Sequence, residues 1–155
     1  MKRSEINKAL KELEAMCKEY RFALPPFCDF TPEQWKTIGH EYDEVRDCML
    51  GWDITDFGLG DFDKFGFSLI TIRNGNRAMA DKYPKVYAEK LLYLKEGQCA
   101  ANHFHWYKTE DIINRGGGNV LAKTNSHFST SRAWCCHNNQ LTICFYIIIL
   151  TKTFF

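Results

Sequence analysis

The stretch after Leu121 contains no Asp, Glu, Gly or Pro; all 19 acidic residues precede it, proline stops at Pro84 and glycine at Gly118. Chains that fold as β-structure make their turns with those residue types. Residues 122–155 are therefore expected to be an atypical tail, with two readings: not the native continuation, as after a change of reading frame, or an unusual but real pair of strands. The chain also lacks a surplus of either charge: 20 basic against 19 acidic residues leave +1. Without a clustered basic face there is no electrostatic case for nucleic acid. Seven cysteines, at 17, 28, 48, 99, 135, 136 and 144, include no Cys-x-x-Cys pair. An odd count without that spacing excludes a disulfide framework and a zinc-finger pattern. Reduced thiols in a cytoplasm are expected. No apolar run approaches the roughly 20 residues that cross a bilayer. The longest, Ile143 to Leu150, has the length and composition of a buried or aggregation-prone strand. No signal peptide is expected, because Met1-Lys2-Arg3-Ser4-Glu5 passes straight into a charged helical pattern.

What is present fits one domain with a sizeable core: 155 residues with twelve Phe, seven Tyr and four Trp, enough rings for a sheet-rich interior or an aromatic pocket. Ile6, Leu10, Leu13, Cys17 and Tyr20 recur at steps of three and four. That spacing predicts a helix over 4–21, capped by Ser4 and stopped by Pro25-Pro26. Thr31-Pro32-Glu33-Gln34 reads as a second helix start, with Trp35, Ile38, Tyr42 and Val45 along one face to about Asp47. From Met49 the texture becomes strand and turn. Phe67 to Ile72 predicts a strand, and Arg73-Asn74-Gly75-Asn76 carries the Asn-Gly signature of a tight hairpin. Val86 to Leu94 predicts another strand, Lys95-Glu96-Gly97 a turn, and a further strand starts near Gln98. The expected fold class is α+β, helices followed by a β-sandwich or barrel. The composition divides it into a helical segment at 1–48, a β-barrel part at 49–121 and the tail at 122–155.

The chemistry concentrates between Gly97 and Gly117. On a strand, His103 and His105 share a face about 7 Å apart at the backbone, so their imidazoles can converge on one ion. On a helix they would diverge by about 200°. Glu110 lies at an odd offset from both, so the chain must turn within Trp106 to Thr109 and bring it back on a neighbouring strand. Two imidazoles and a carboxylate, without thiolate, suit Mn, Fe, Co, Ni or Zn and lean toward the harder of these. Open positions on such an ion could take a substrate carbonyl and hydroxyl. Other polar groups read as structural. Asp61, Asp63 and Lys64 beside Phe62 and Phe65 form a solvated loop over an apolar anchor, His40 lies on the surface, and Cys99 packs in the wall.

The pattern Gly-x5-His-x-His-x4-Glu-x6-Gly, from Gly97 to Gly117, resembles the first metal motif of the cupin superfamily. The longer text, from Lys2-Arg3-Ser4-Glu5-Ile6-Asn7 through Trp52-Asp53-Ile54-Thr55-Asp56-Phe57-Gly58 to His103-Phe104-His105-Trp106, resembles the D-lyxose isomerase family over about residues 1–121. That resemblance implies N-terminal helices and a cupin-type jelly-roll β-barrel, incomplete here at the C-terminus. It implies a manganese-dependent sugar isomerase, active on D-lyxose and D-xylulose and on D-mannose and D-fructose, and a cytoplasmic homodimer without membrane or nucleic-acid partners. Carried across by position, His103, His105 and Glu110 become Mn2+ ligands and Lys108 a substrate contact. The family's second motif, with a further His ligand, usually holds a Pro-x-Gly turn that this chain lacks. His127 and His137 match no such context, which leaves the fourth ligand and the catalytic base without a position. Two other readings follow from that gap: a cupin product without activity, and a cupin metalloenzyme of another class, such as an oxygenase.

Overall fold

The computed structural model of the chain describes residues 1–101, 108–120 and 145–153. Helix α1 runs Arg3–Glu19 and buries Ala9, Leu13, Met16 and Cys17 on one face, the stripe that the three-and-four spacing predicts. Both of its ends differ from expectation. The cap position is Lys2 and not Ser4: the Lys2 backbone N–H donates to the Glu5 carboxylate, so the acidic side chain closes the first turn. The stop precedes the prolines. Arg21 adopts φ 53°, its N–H donates to the Lys18 carbonyl at 3.1 Å, and the Phe22 N–H donates to the Cys17 carbonyl at 2.8 Å. Those paired bonds form a Schellman ending with an arginine at the left-handed position that usually takes glycine. Pro26 instead opens a short 3-10 turn, Pro26–Asp29.

Helix α2 begins where expected. Thr31 Oγ1 accepts the Gln34 N–H at 3.2 Å and the Gln34 side chain accepts the Thr31 N–H at 2.8 Å. It stops at Thr37, however, and does not reach Asp47. Ile38 and Gly39 turn extended, a 3-10 turn follows at His40–Tyr42, and α3 covers Asp43–Asp47. The Arg46 guanidinium donates to the Ile38 and Gly39 carbonyls at 2.9 and 3.0 Å, satisfying the groups left open by the break. Apolar periodicity therefore continued across a break in the helix: Phe30, Trp35 and Tyr42 still meet, edge to face, at centroid distances of 5.0–6.1 Å.

The rest is an antiparallel sheet of β1 (Gly51–Thr55), β2 (Phe67–Arg73), β3 (Tyr87–Leu94), β4 (Lys108–Gly116) and β5 (Phe145–Thr153), in the order β1-β2-β3-β5-β4. The fold class is thus α+β, with helices first and sheet after. The apolar run before Leu150 does enter a strand, and β5 lies between β3 and β4.

The tight hairpin after β2 does not form. β3 starts only at Tyr87, and Gly75 lacks the positive φ that an Asn-Gly hairpin needs. Asn74 and Asn76 donate instead to the Cys48 and Asp47 carbonyls at 3.0 and 2.6 Å, which docks the connection on the end of α3. Gly75 serves a close approach: a Cβ there would lie 1.9 Å from the Lys85 carbonyl oxygen. Past the turn at 95–97, the expected strand from Gln98 is, within the described residues, a single parallel bridge between Cys99 and Phe65. The fully buried Gln98 side chain donates to the Phe62 carbonyl and accepts the Lys95 N–H, pinning this segment to the 61–66 loop.

Strand alternation gives the sheet two faces. Ile70, Leu91 and Tyr93 pack against Leu13, Met16 and Cys17 of α1. Leu69, Leu92 and Leu94 point the other way and gather Phe67, Ile112 and Val120.

Candidate functional site

Glu110 stands on β4 opposite Thr151 of β5, and Lys108 stands two residues earlier opposite Thr153. Glu110 shares its face with Ile112, so it belongs to the side of the sheet that carries the Leu69–Leu92–Leu94 cluster and not to the side under α1. It is half-buried there. Glu110 lies on a strand, with Lys108 and Thr109 already in β4; the rest of the reversal expected within Trp106 to Thr109 lies outside the described residues. His103 and His105 lie outside the described residues, as do His127 and His137. Among the described residues, no group of three or more His, Cys, Asp or Glu could hold a metal ion.

The same face carries two polar residues that the sequence reading passed over. Thr71 on β2 faces Lys90 on β3 across the sheet, with Thr71 buried and Lys90 half-buried. Their signal was available: in Ala88, Lys90, Leu92 and Leu94 a lysine occupies an alternation that is otherwise apolar.

Several charges elsewhere on the molecule are engaged in structural contacts. The Lys95 ammonium reaches Asp63 at 2.5 Å and Glu12 at 3.3 Å, linking the 61–66 loop to α1. Burial alone would lower the pKa of Lys95, but the Asp63 hydrogen bond and the Glu12 charge outweigh it and leave it raised. Asp47 Oδ2 accepts the Tyr83 hydroxyl at 2.6 Å and the Lys82 ammonium at 3.0 Å, and these two bonds hold its carboxyl below the usual range. His40 is 98% exposed beside Asp43, a surface residue as expected. Asp61, Asp63 and Lys64 are exposed while Phe62 and Phe65 are half-buried, which is the expected solvated loop over an apolar anchor. Cys17, Cys28, Cys48 and Cys99 are free thiols. Burial, then the neighbouring carboxylates, pushes Cys17 up to about 11 and Cys28 up to about 12. They are packing groups. No helix among the described residues is long and apolar enough to cross a membrane.

The D-lyxose isomerase family profile matches residues 1–144, and the chain belongs to that family. It is 44% identical over 124 residues to a D-lyxose/D-mannose isomerase of Escherichia coli O157:H7, and 43% identical over the same length to one of Serratia proteamaculans. Both alignments cover 79% of this chain and 54% of the relative, so the chain spans about half the length of the curated relatives it matches.

Proposed function

We propose that the chain carries the chemistry of a metal-dependent aldose–ketose isomerase, interconverting D-lyxose with D-xylulose and D-mannose with D-fructose. The observation that carries this reading is the 44% identity to a D-lyxose/D-mannose isomerase, sustained over 79% of the chain. The reading takes the sheet as one wall of a cupin-type jelly-roll, and the assembly as a cytoplasmic homodimer.

In this scheme His103, His105 and Glu110 hold Mn2+. The donor set fits such an ion, with two neutral imidazoles, one carboxylate and no thiolate. The position of Glu110 supports the role: it is half-buried on an apolar sheet face, where a carboxylate is partly withdrawn from water and favours a cation. It is also borne on a strand paired along its length with β5, a more rigid mount than a loop. When bound, the ion supplies Lewis acidity toward the substrate carbonyl. Lys108, two residues before Glu110 on the same strand, would donate hydrogen bonds to sugar oxygens and orient them.

The test is conversion of D-lyxose to D-xylulose by the chain with added Mn2+. No D-xylulose above a protein-free Mn2+ control would sink the reading. His103→Ala and Glu110→Ala are expected to lower manganese stoichiometry and turnover together; unchanged stoichiometry in both removes the ligand assignment.

A further inference from the structure

The connection between β2 and β3 is a loop with a closed neck. Gly75 and Lys85 meet at its base, where the Lys85 carbonyl oxygen fills the space a Cβ on Gly75 would need. Between them a 3-10 turn covers Arg77–Met79, and the Lys82 and Tyr83 N–H groups both donate to the Met79 carbonyl, at 3.0 and 2.8 Å. A surface segment with touching ends and its own internal bonds is an Ω-loop, a unit able to open as one.

What holds this loop down is polar. From Asn74 to Lys85 only Tyr83 is buried, and no residue from Pro26 to Asp47 is buried in the segment it docks on. Opposite charges meet in place of a shared core: α3 presents Asp43, Glu44 and Asp47, and the loop presents Lys82 and Lys85. The Lys82 ammonium lies 3.0 Å from Asp47 Oδ2 and 3.7 Å from Asp43 Oδ2, and Lys85 pairs with Glu44. Tyr83 donates its hydroxyl to the same Asp47 oxygen at 2.6 Å. Lys82 is 50% exposed and Asp47 29%, so water and salt reach these pairs, and salt weakens pairs so placed.

Cys48 sits beneath the contact. It is 1% exposed although its neighbour Met49 is 78% exposed. Its carbonyl accepts the Asn74 side chain at 3.0 Å. The charges around its thiol are Glu44 and Asp47 from α3 and Lys85 and Lys82 from the loop. Among the described residues it joins neither apolar cluster of the sheet, whereas Cys17 is packed with Leu13 and Ile70 under α1. One thiol is sealed by core packing and the other by charge pairing.

We propose that residues 75–85 are an ionic clasp on α3, which opens as one unit when charge pairing is weakened and uncovers the Cys48 thiol while α1 and the sheet stay folded. The clasp does not depend on what the chain catalyses. Ionic strength is its trigger, because screening acts on the Lys82 and Lys85 pairs and leaves the apolar clusters in place.

The test compares the chain in about 0.01 M and about 1 M NaCl, between which the Debye length shrinks from about 30 Å to about 3 Å. Iodoacetamide labelling read by peptide mass spectrometry follows Cys48, and hydrogen exchange follows the amides of 77–83. Both rates are expected to rise together by about fivefold, the modest sum of part-exposed pairs. Cys17 labelling and the amides of β3 should not change. Asp47→Asn removes the charge facing Lys82 and weakens the acceptor of Tyr83. It should raise both rates about tenfold at low salt and remove most of the salt response, which Lys82→Arg should retain. Cys48 labelling that ignores salt in the unaltered chain overturns the clasp. So does labelling of Cys17 in step with Cys48, the mark of whole-chain unfolding, or Cys48 labelling that rises without the 77–83 amides. If Asp47→Asn fails to fold, the salt series on the unaltered chain decides alone.

Discussion

Leu91 and Leu92 are neighbours in β3, yet the two faces of the sheet assign them to different parts of the molecule. Leu91 is fully buried with Leu13 and Met16 of α1, while Leu92 is buried with Leu69, Leu94 and Ile112 on the side that carries Glu110. Truncating either to alanine leaves a cavity in close-packed surroundings, and such changes cost about 2–5 kcal/mol. We expect about 3 kcal/mol for each, hence a melting temperature lower by about 9 °C for a chain of this size. The single variants will look alike. The doubles will not: Leu13→Ala with Leu91→Ala should depart from additivity by about 1 kcal/mol, because both lesions open one cluster, whereas Leu13→Ala with Leu92→Ala should add within about 0.5 kcal/mol. Urea unfolding followed by tryptophan fluorescence measures all five variants. Equal coupling of Leu13 to both leucines would refute the facing assignment, and with it the placement of Glu110 away from α1.

Three further outcomes are expected. At Gly116 a Cβ would come within 2.7 Å of the Tyr20 ring, so Gly116→Ala should cost about 1–3 kcal/mol, with part of the loss recovered in a chain that also carries Tyr20→Ala; a neutral Gly116→Ala in urea unfolding counts against the contact. The Asp47 carboxyl, held low by Tyr83 and then Lys82, has a folded pKa below its unfolded one. Its contribution is therefore present in full at neutral pH and lost as pH falls below about 4. Asp47→Asn should flatten that acid decline in the urea midpoint, and an unaltered slope would count against it. Cys17 and Cys28, pushed up to about 11 and about 12, should resist iodoacetamide at pH 8 in the folded chain and react in urea, as peptide mass spectrometry would read; labelling of both in the folded chain would refute the raised thiols.

Local chemistry was legible wherever one short-range rule decided the outcome. Thr31 and Gln34 close their box because a threonine, a proline and a glutamine in that order have one good arrangement, and Phe67 to Ile72, rich in β-branched and aromatic residues, forms the strand its composition favours. Misreadings came where a distant partner outbid the local signal. Asn74 and Gly75 spell a hairpin, but the carbonyl ends of α3 claim the asparagines and Lys85 claims the space over the glycine. The helix expected to reach Asp47 breaks at Gly39 although its aromatic stripe stays in contact. β1 drew no strand assignment from its own five residues, and its register comes wholly from β2. In the site, Glu110 and its turn onto a strand were readable from an odd offset. What shares its face was not, because Lys90 is twenty residues away in sequence and comes onto the same sheet face only through β5, which lies between their strands.

That intervening strand has a kinetic consequence. β3 and β4 are close in sequence, yet in the sheet each pairs with β5, which lies well downstream of both. Closing so long a loop before any pairing is rewarded slows assembly. Until β5 inserts, β4 has no strand to pair with, so the half of the sheet that bears Glu110 is the half completed last. A chaperone or protease acting during that interval would find the α1 side already built and the strands around Glu110 still open.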